Sequence, residues 1–389
     1  MSFPSPLSQP PHGAPALIPP PAASPAPLPV EPRRGHVWAI WVVGLLIVLL
    51  VGLVGYFLTF IGPSASLVGM VLALLPLAGV LFAVRLVDRW EPEPRSLVVL
   101  ALAWGAVAAV AIALLVDLAL TVVLRPEPSA AQDFFSGVVQ APVVEEVAKG
   151  LGILLVFAFA RRSFDGPIDG VVYGALVGAG FAFTENIQYF AVSFIEGGVE
   201  QTSMTFFVRG ILSPFAHVMF TSVTGFALGL AARRGATPRA ALGPWALGLV
   251  GAIGLHALWN GSATVGDFFG LYATLQVPLF AGFILGVLAL RREEERLTRA
   301  RLGEYAVEGW FTPQEVDMLA TRAGRRAGLA WARSLRGDRT ALMEGFIRDA
   351  TELAMTRQRA LTGRDPDAAR VERVHLERAA AARAALFAP

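Results

Sequence analysis

The stretch Ala141-Pro142-Val143-Val144-Glu145-Glu146-Val147-Ala148-Lys149-Gly150, continued by Leu151-Gly152-Ile153-Leu154-Leu155-Val156-Phe157-Ala158-Phe159-Ala160, is apolar enough to cross a membrane except for three charges within five residues. A charge at mid-bilayer depth costs roughly 3 kcal/mol on insertion scales, so a cluster of this kind marks a functional site by default. Lys149 is the only lysine in the chain; every other fixed positive side chain is an arginine.

Outward from this stretch, the chain has the make-up of a polytopic membrane protein. Of its 389 residues 55% are hydrophobic and 16% charged, too little polar surface for a soluble domain of that length. The formal charge is +2, and the arginines lie in short loops and in the C-terminal region, so no nucleic-acid partner is expected. There is no cysteine, which removes disulfides, thiolate metal ligands and thiol nucleophiles from consideration. Residues Met1–Pro32 are dominated by proline, alanine and serine and lack the pattern of a signal peptide. The segment 1–36 is expected to be a disordered, polyproline-like cytoplasmic tail.

Apolar runs of about 20 residues or more predict an all-α fold with eight transmembrane helices. They fall near Val37–Ile61, Ser64–Leu86, Ser96–Leu124, Phe135–Ala160, Ile168–Phe194, Phe206–Ala232, Ala241–Asn260 and Phe268–Leu290, within a transmembrane domain at 37–290. Arginines alternate with the connections: Arg33 and Arg34, then Arg85, Arg89 and Arg95, then Arg161 and Arg162, then Arg233, Arg234 and Arg239, then Arg291 and Arg292. The intervening connections hold Arg125 alone, or the acidic Glu196 and Glu200. The positive-inside rule puts both termini in the cytoplasm, as an even number of spans requires. Residues 291–389 turn to Arg, Glu and Ala with helical periodicity and are expected to form a cytoplasmic helical region. There Thr312-Pro313-Gln314-Glu315 has the form of a capping box with proline at the first helical position. The arginines of this region read as a solvated face rather than a lipid contact.

Other predicted spans carry polar groups too. The fifth has Glu185-Asn186, the sixth Arg209 and His217, the seventh His256 and Asn260. At 1.5 Å per residue, Glu145 and Glu146 lie roughly 15 Å below the outer surface, Glu185 roughly 14 Å, His217 roughly 16 Å and His256 roughly 6–9 Å. Four helices place polar groups in one half of the bilayer, which points to a single site. Lys149 is one turn from both Glu145 and Glu146, and His256 is one turn from Asn260. Two imidazoles and a carboxylate can hold zinc with one open position, while a further carboxylate serves as general base. The soluble HExxH signature is absent, so separate helices would have to assemble the site. Proton-coupled transporters also bury Glu and His, so a proton- or cation-coupled transporter stands as the second reading. Against it, the cytoplasmic halves of spans four to seven offer few polar residues for a water path. A silent relative that only binds a partner is the third.

The ordered motifs resemble the PrsW family of bacterial intramembrane proteases, distantly similar to the CAAX-protease/bacteriocin-processing superfamily. They are Asp88-Arg89-Trp90-Glu91-Pro92-Glu93-Pro94, Glu145-Glu146-x-x-Lys149, Asp169-Gly170-Val171-Val172-Tyr173-Gly174, Gly180-Phe181-Ala182 leading to Glu185-Asn186, His217, and His256 to Asn260. The resemblance covers about Val80 to Asn260. It implies a multi-pass protein of the bacterial cell (inner) membrane that cuts a membrane-tethered substrate, such as an anti-sigma factor, near the extracytoplasmic side. It also implies a catalytic set of Glu145, Glu146, Glu185, Asn186, His217, His256 and Asn260, with Glu145 or Glu146 activating water. Glu146, His217 and His256 would be metal ligands, with zinc the expected ion; a related scheme has His and Asn hold the activated water without zinc. Two Glu-Pro steps make Asp88–Pro94 a stiff connection or a gate. Gly170, Gly174, Gly178 and Gly180 recur at the spacing of close helix packing, which would bring Glu185 toward its neighbours.

Overall fold

The computed structural model describes residues 37–264, 267–365 and 367–388; the proline-rich tail lies outside them. All regular structure among the described residues is helical. In chain order the helices are α1 Val37–Tyr56, α2 Pro63–Val87, α3 Arg95–Ala103, α4 Val110–Leu124, α5 Ala130–Phe135, α6 Ala141–Phe159, α7 Pro167–Phe206, α8 Ala216–Arg233, α9 Leu242–Thr264, α10 Phe268–Leu271, α11 Val277–Val307, α12 Pro313–Leu319, α13 Arg322–Ser334, α14 Thr340–Leu361 and α15 Ala368–Phe387. Wider, π-type turns continue the helical path at Phe57–Ile61, Trp104–Ala109, Ser136–Gln140, Phe207–Leu212 and Tyr272–Gln276. Such turns recur at functional sites because they re-aim side chains; here one leads into α6 and another presents Arg209.

Among the described residues, six helical runs are long and apolar enough to cross a membrane: Ile40–Ile61, Pro63–Val87, Arg95–Leu124, Pro167–Arg233, Leu242–Thr264 and Phe268–Val307. The run from Pro167 to Arg233 contains the expected fifth and sixth spans. It is interrupted at Gly197 and at Gly198, whose φ of +60° suits a residue without Cβ, and again around Ser213-Pro214, before α8 begins at Ala216. The sixth expected span, Phe206–Ala232, is therefore split rather than continuous. Helix α6, which carries Glu145, Glu146 and Lys149, is not among the six. Large apolar side chains such as Trp41, Ile47, Leu75, Leu115 and Val123 are exposed along the outer helices, the surface that a bilayer would cover.

The compact unit Gly44–Arg291 is organised around α7. A Cβ on Gly170 would stand 2.0 Å from the Gly225 carbonyl oxygen, and one on Gly225 1.9 Å from that of Gly170. The α7 and α8 backbones therefore touch, as small-residue helix pairs allow. At Gly178 the same test gives 2.5 Å to the His217 carbonyl oxygen, so this approach sets the height at which His217 meets α7. Trp104 and Trp245 tie α6 down by donating to the Ala148 and Gly150 carbonyls at 3.0 and 2.9 Å. Below these, Ile153, Phe157, Phe164, Tyr173, Leu176 and Leu228 form an apolar core.

The Asp88–Pro94 connection is packed rather than open. The Glu93 amide donates to the Asp88 carboxylate at 3.2 Å, and Tyr173 Oη donates to Glu93 Oε2 at 2.5 Å. Burial pushes Asp88 from 3.8 up to about 6, and burial together with Asp169 pushes Glu93 up as well. A carboxyl raised in the fold contributes stability fully below its unfolded value and loses it as pH rises through the folded one. Glu93→Gln stays neutral and still offers Tyr173 an acceptor. Its melting temperature relative to wild type is expected to rise as pH increases above the ordinary glutamate range; a constant or falling difference across thermal melts would contradict the burial of Glu93 as a proton-retaining acid.

Residues after Arg291 belong to a second compact unit. Its core holds Leu302, Tyr305, Phe311, Leu319, Met343, Phe346 and Leu353. The capping box at α12 forms as the sequence suggests: the Glu315 amide donates to Thr312 Oγ1 at 3.1 Å and the Thr312 amide to Glu315 Oε2 at 2.7 Å.

Candidate active site

Helical spacing places Glu145, Glu146 and Lys149 on the face of α6 that meets α7, α8 and α9. The Lys149 ammonium donates to Glu145 Oε2 at 3.1 Å, to Glu146 Oε1 at 2.8 Å and to His217 Nδ1 at 3.1 Å. It also sits 3.8 Å from the Phe181 ring centre. Lys149 and Glu146 are fully enclosed, whereas the Glu145 side chain keeps 13% of its surface. The remaining Glu146 oxygen accepts from Thr221 Oγ1 at 3.0 Å, and Glu146 Oε1 also meets His256 Nδ1 at 3.1 Å. Adjacent glutamates thus have different surroundings: Glu146 is committed on every side, and Glu145 has an oxygen that takes part in no hydrogen bond.

Donor and acceptor chemistry fixes both histidine tautomers. A carboxylate only accepts, so His256 carries its proton on Nδ1 toward Glu146 and leaves Nε2 with a lone pair. An ammonium only donates, so His217 accepts at Nδ1 and carries its proton on Nε2, which donates to Glu185 Oε2 at 2.9 Å. The two rings meet edge to face, 5.0 Å apart, and Phe220 stacks on His256 at 4.8 Å. Arg209 pairs with Glu185, donates from Nε to Asn186 Oδ1 at 2.8 Å and lies 3.8 Å over the Tyr189 ring. Asn260 donates to the Gly137 carbonyl at 2.8 Å.

Two cavities reach this network. One, of about 290 Å³, is bordered by Glu185, Asn186, Arg209, His217, His256 and Asn260. The other, of about 420 Å³, reaches Asp117, Gln140, Glu145, Phe181, Glu185 and Tyr189. All seven residues expected from the sequence lie in the network or on a cavity wall. Glu146 differs from the others in facing neither cavity. Thr221 and Tyr189 join the site without having been singled out, and Phe181, quoted within a motif, joins it without having been given a part. Thr221 and Tyr189 stand four residues after His217 and Glu185, the helical spacing that could have found them. Arg209 was noted as polar but given no part.

As metal donors, Glu145, His217 and His256 each offer an atom, all within 4.8 Å of one another; the sequence had pointed to Glu146 in place of Glu145. His256 suits a metal, since Glu146 orients its far nitrogen as carboxylates do for liganded histidines. Glu145 also suits one. His217 does not, because Lys149 takes its Nδ1 and so keeps the proton on Nε2. The residues as arranged supply two of three donors and do not complete a zinc site.

The fold and site define an all-helical, multi-pass membrane protein with one polar centre drawn from four helices. The segment 93–283 matches the sequence model of the PrsW family intramembrane metalloproteases. The chain is 31% identical over 144 residues to "Protease PrsW" of Geobacillus kaustophilus and 33% identical over 144 residues to that of Bacillus subtilis. These alignments cover 37% of this chain, which thus spans 58% and 60% of the length of those two relatives. No solved structure matches the chain.

Proposed function

We propose that the chain is an intramembrane peptidase in which Glu145 activates a water. The observation that carries this reading is the gap between Glu145 Oε2 and His256 Nε2, 4.0 Å. At that separation the two do not hydrogen-bond directly, and one water donating to both would bridge them, beside the bond that Glu145 Oε2 already accepts from Lys149. Glu145 takes a proton from this water as its oxygen attacks the scissile carbonyl, then returns it to the leaving amide nitrogen. Asn186 and Asn260, on the wall of the cavity that His256 borders, provide amide donors for the developing oxyanion. Glu146 and Lys149 hold His256 and His217 in their tautomers, and Glu185 holds the proton side of His217. A metal ion such as zinc, in keeping with the metalloprotease description of the family model, would find Glu145 and His256 ready and would require His217 to leave both Lys149 and Glu185.

In this reading α6 crosses the membrane despite its charges, and the kinked run from Pro167 to Arg233 crosses twice, giving eight spans. Both termini are cytoplasmic in a bacterial cell membrane, and 37–290 is the peptidase domain between the tail 1–36 and the helical region 291–389. The substrate is a membrane-tethered protein, of which an anti-sigma factor is one example, cut near the extracytoplasmic side. The test is co-reconstitution of the full chain with single-span proteins in liposomes. Cleavage by wild type and its loss in His256→Ala are expected. Intact substrate together with proton flux would favour a transporter.

A further inference from the structure

We infer that Lys149 is the resident cation of this centre: its ammonium, held by Glu145, Glu146 and His217, keeps Glu145 and His217 from joining His256 around a divalent metal. Three lines converge on this. The first is coordination. Nζ has two carboxylate oxygens and an imidazole nitrogen at 2.8–3.1 Å, all of them atoms that ligate metals, and an aromatic face at 3.8 Å. The second is charge. Glu145, Glu146 and Glu185 face Lys149 and Arg209, so with neutral imidazoles the centre is within one charge of balance. A dication added beside Lys149 would overshoot, and removing Lys149 would leave two uncompensated carboxylates in a dry site. The third is tautomer. As long as the ammonium donates to Nδ1, His217 presents an N–H rather than a lone pair to the cavity.

The consequence is that wild type holds its constellation together without a metal, whereas a chain lacking the ammonium acquires a divalent-ion site from the same residues. The inference rests on the geometry alone and stands apart from the peptidase reading, because its readout is metal affinity rather than cleavage. The probe is zinc chloride, titrated into chelator-treated full-length protein in detergent, with melting temperature and elemental analysis as readouts. Wild type is expected to keep its melting temperature after chelation and to gain little from zinc. Lys149→Met is expected to melt lower, to be raised by zinc, and to bind it roughly a hundredfold tighter than wild type. That binding should vanish in Lys149→Met/His256→Ala. If Lys149→Met does not fold, Glu146→Gln/Lys149→Met restores the charge count and takes its place with the same expectation of tighter binding. One zinc per wild-type chain, lost in His256→Ala and needed for thermal stability, would overturn the inference. So would a Lys149 variant that binds zinc no better than wild type.

Discussion

Glutamine at position 145 is expected to slow cleavage of a membrane-tethered substrate by roughly 10²–10⁴-fold, the usual contribution of a positioned general base. Glu145 faces a cavity and keeps part of its surface, so a water can reach it. Glutamine retains an oxygen for Lys149, so the surrounding contacts and the melting temperature should change little. The deficit belongs in the chemical step, and single-turnover cleavage with substrate already bound reads it directly. A Glu145→Gln chain that cleaves at the wild-type rate would move the base elsewhere, with the lone pair of His256 Nε2 the next candidate.

Its neighbour is expected to behave in the opposite way. Glu146→Ala should cost roughly 3–5 kcal/mol of stability, as breaking one side of a buried ion pair typically does. Three groups lose a partner together: the enclosed Lys149 ammonium, Thr221 Oγ1 and the Nδ1 proton of His256. Unfolding in detergent measures the loss. Activity falls as well, but as a consequence of the displaced His256, so Glu146→Gln, which keeps an acceptor, should recover part of both. A Glu146→Ala protein that melts with wild type yet does not cleave would assign this residue to the chemistry instead.

The contrast between the two glutamates shows what the sequence could and could not carry. Charges in an apolar run announced the site, and shared depth on four helices announced that they meet; both follow from one-dimensional spacing and the cost of burying charge. Which of two adjacent carboxylates faces the cavity depends on helix rotation against α8 and α9. That is set by contacts such as Thr221 with Glu146 and Gly178 with His217, which lie far apart in the chain. Arg209 escaped for a related reason. It sits on a π-type turn before an interrupted helix, where regular periodicity no longer says which way a side chain points. Nor could spacing show that Lys149 would reach across to His217, a contact 68 residues away, and so alter which nitrogen is free.

Among the spans, the continuous apolar runs were legible and the irregularities were not. Glu196-Gly197-Gly198 reads as a loop, yet the helix resumes after a kink and continues to Phe206. The Asp88–Pro94 connection reads as stiff from its prolines; its burial against Tyr173 needed the fold.

The measurement that most directly tests the account is mass-spectrometric mapping of the products from a single-span substrate co-reconstituted with wild type and, in parallel, with Glu145→Gln. Expected is a single cut in the extracytoplasmic half of the substrate span or just outside it, with a free carboxylate bearing one oxygen from solvent water, and at least a hundredfold less of this product from Glu145→Gln over the same time. A cut at the cytoplasmic end, or equal products from both proteins, would contradict it.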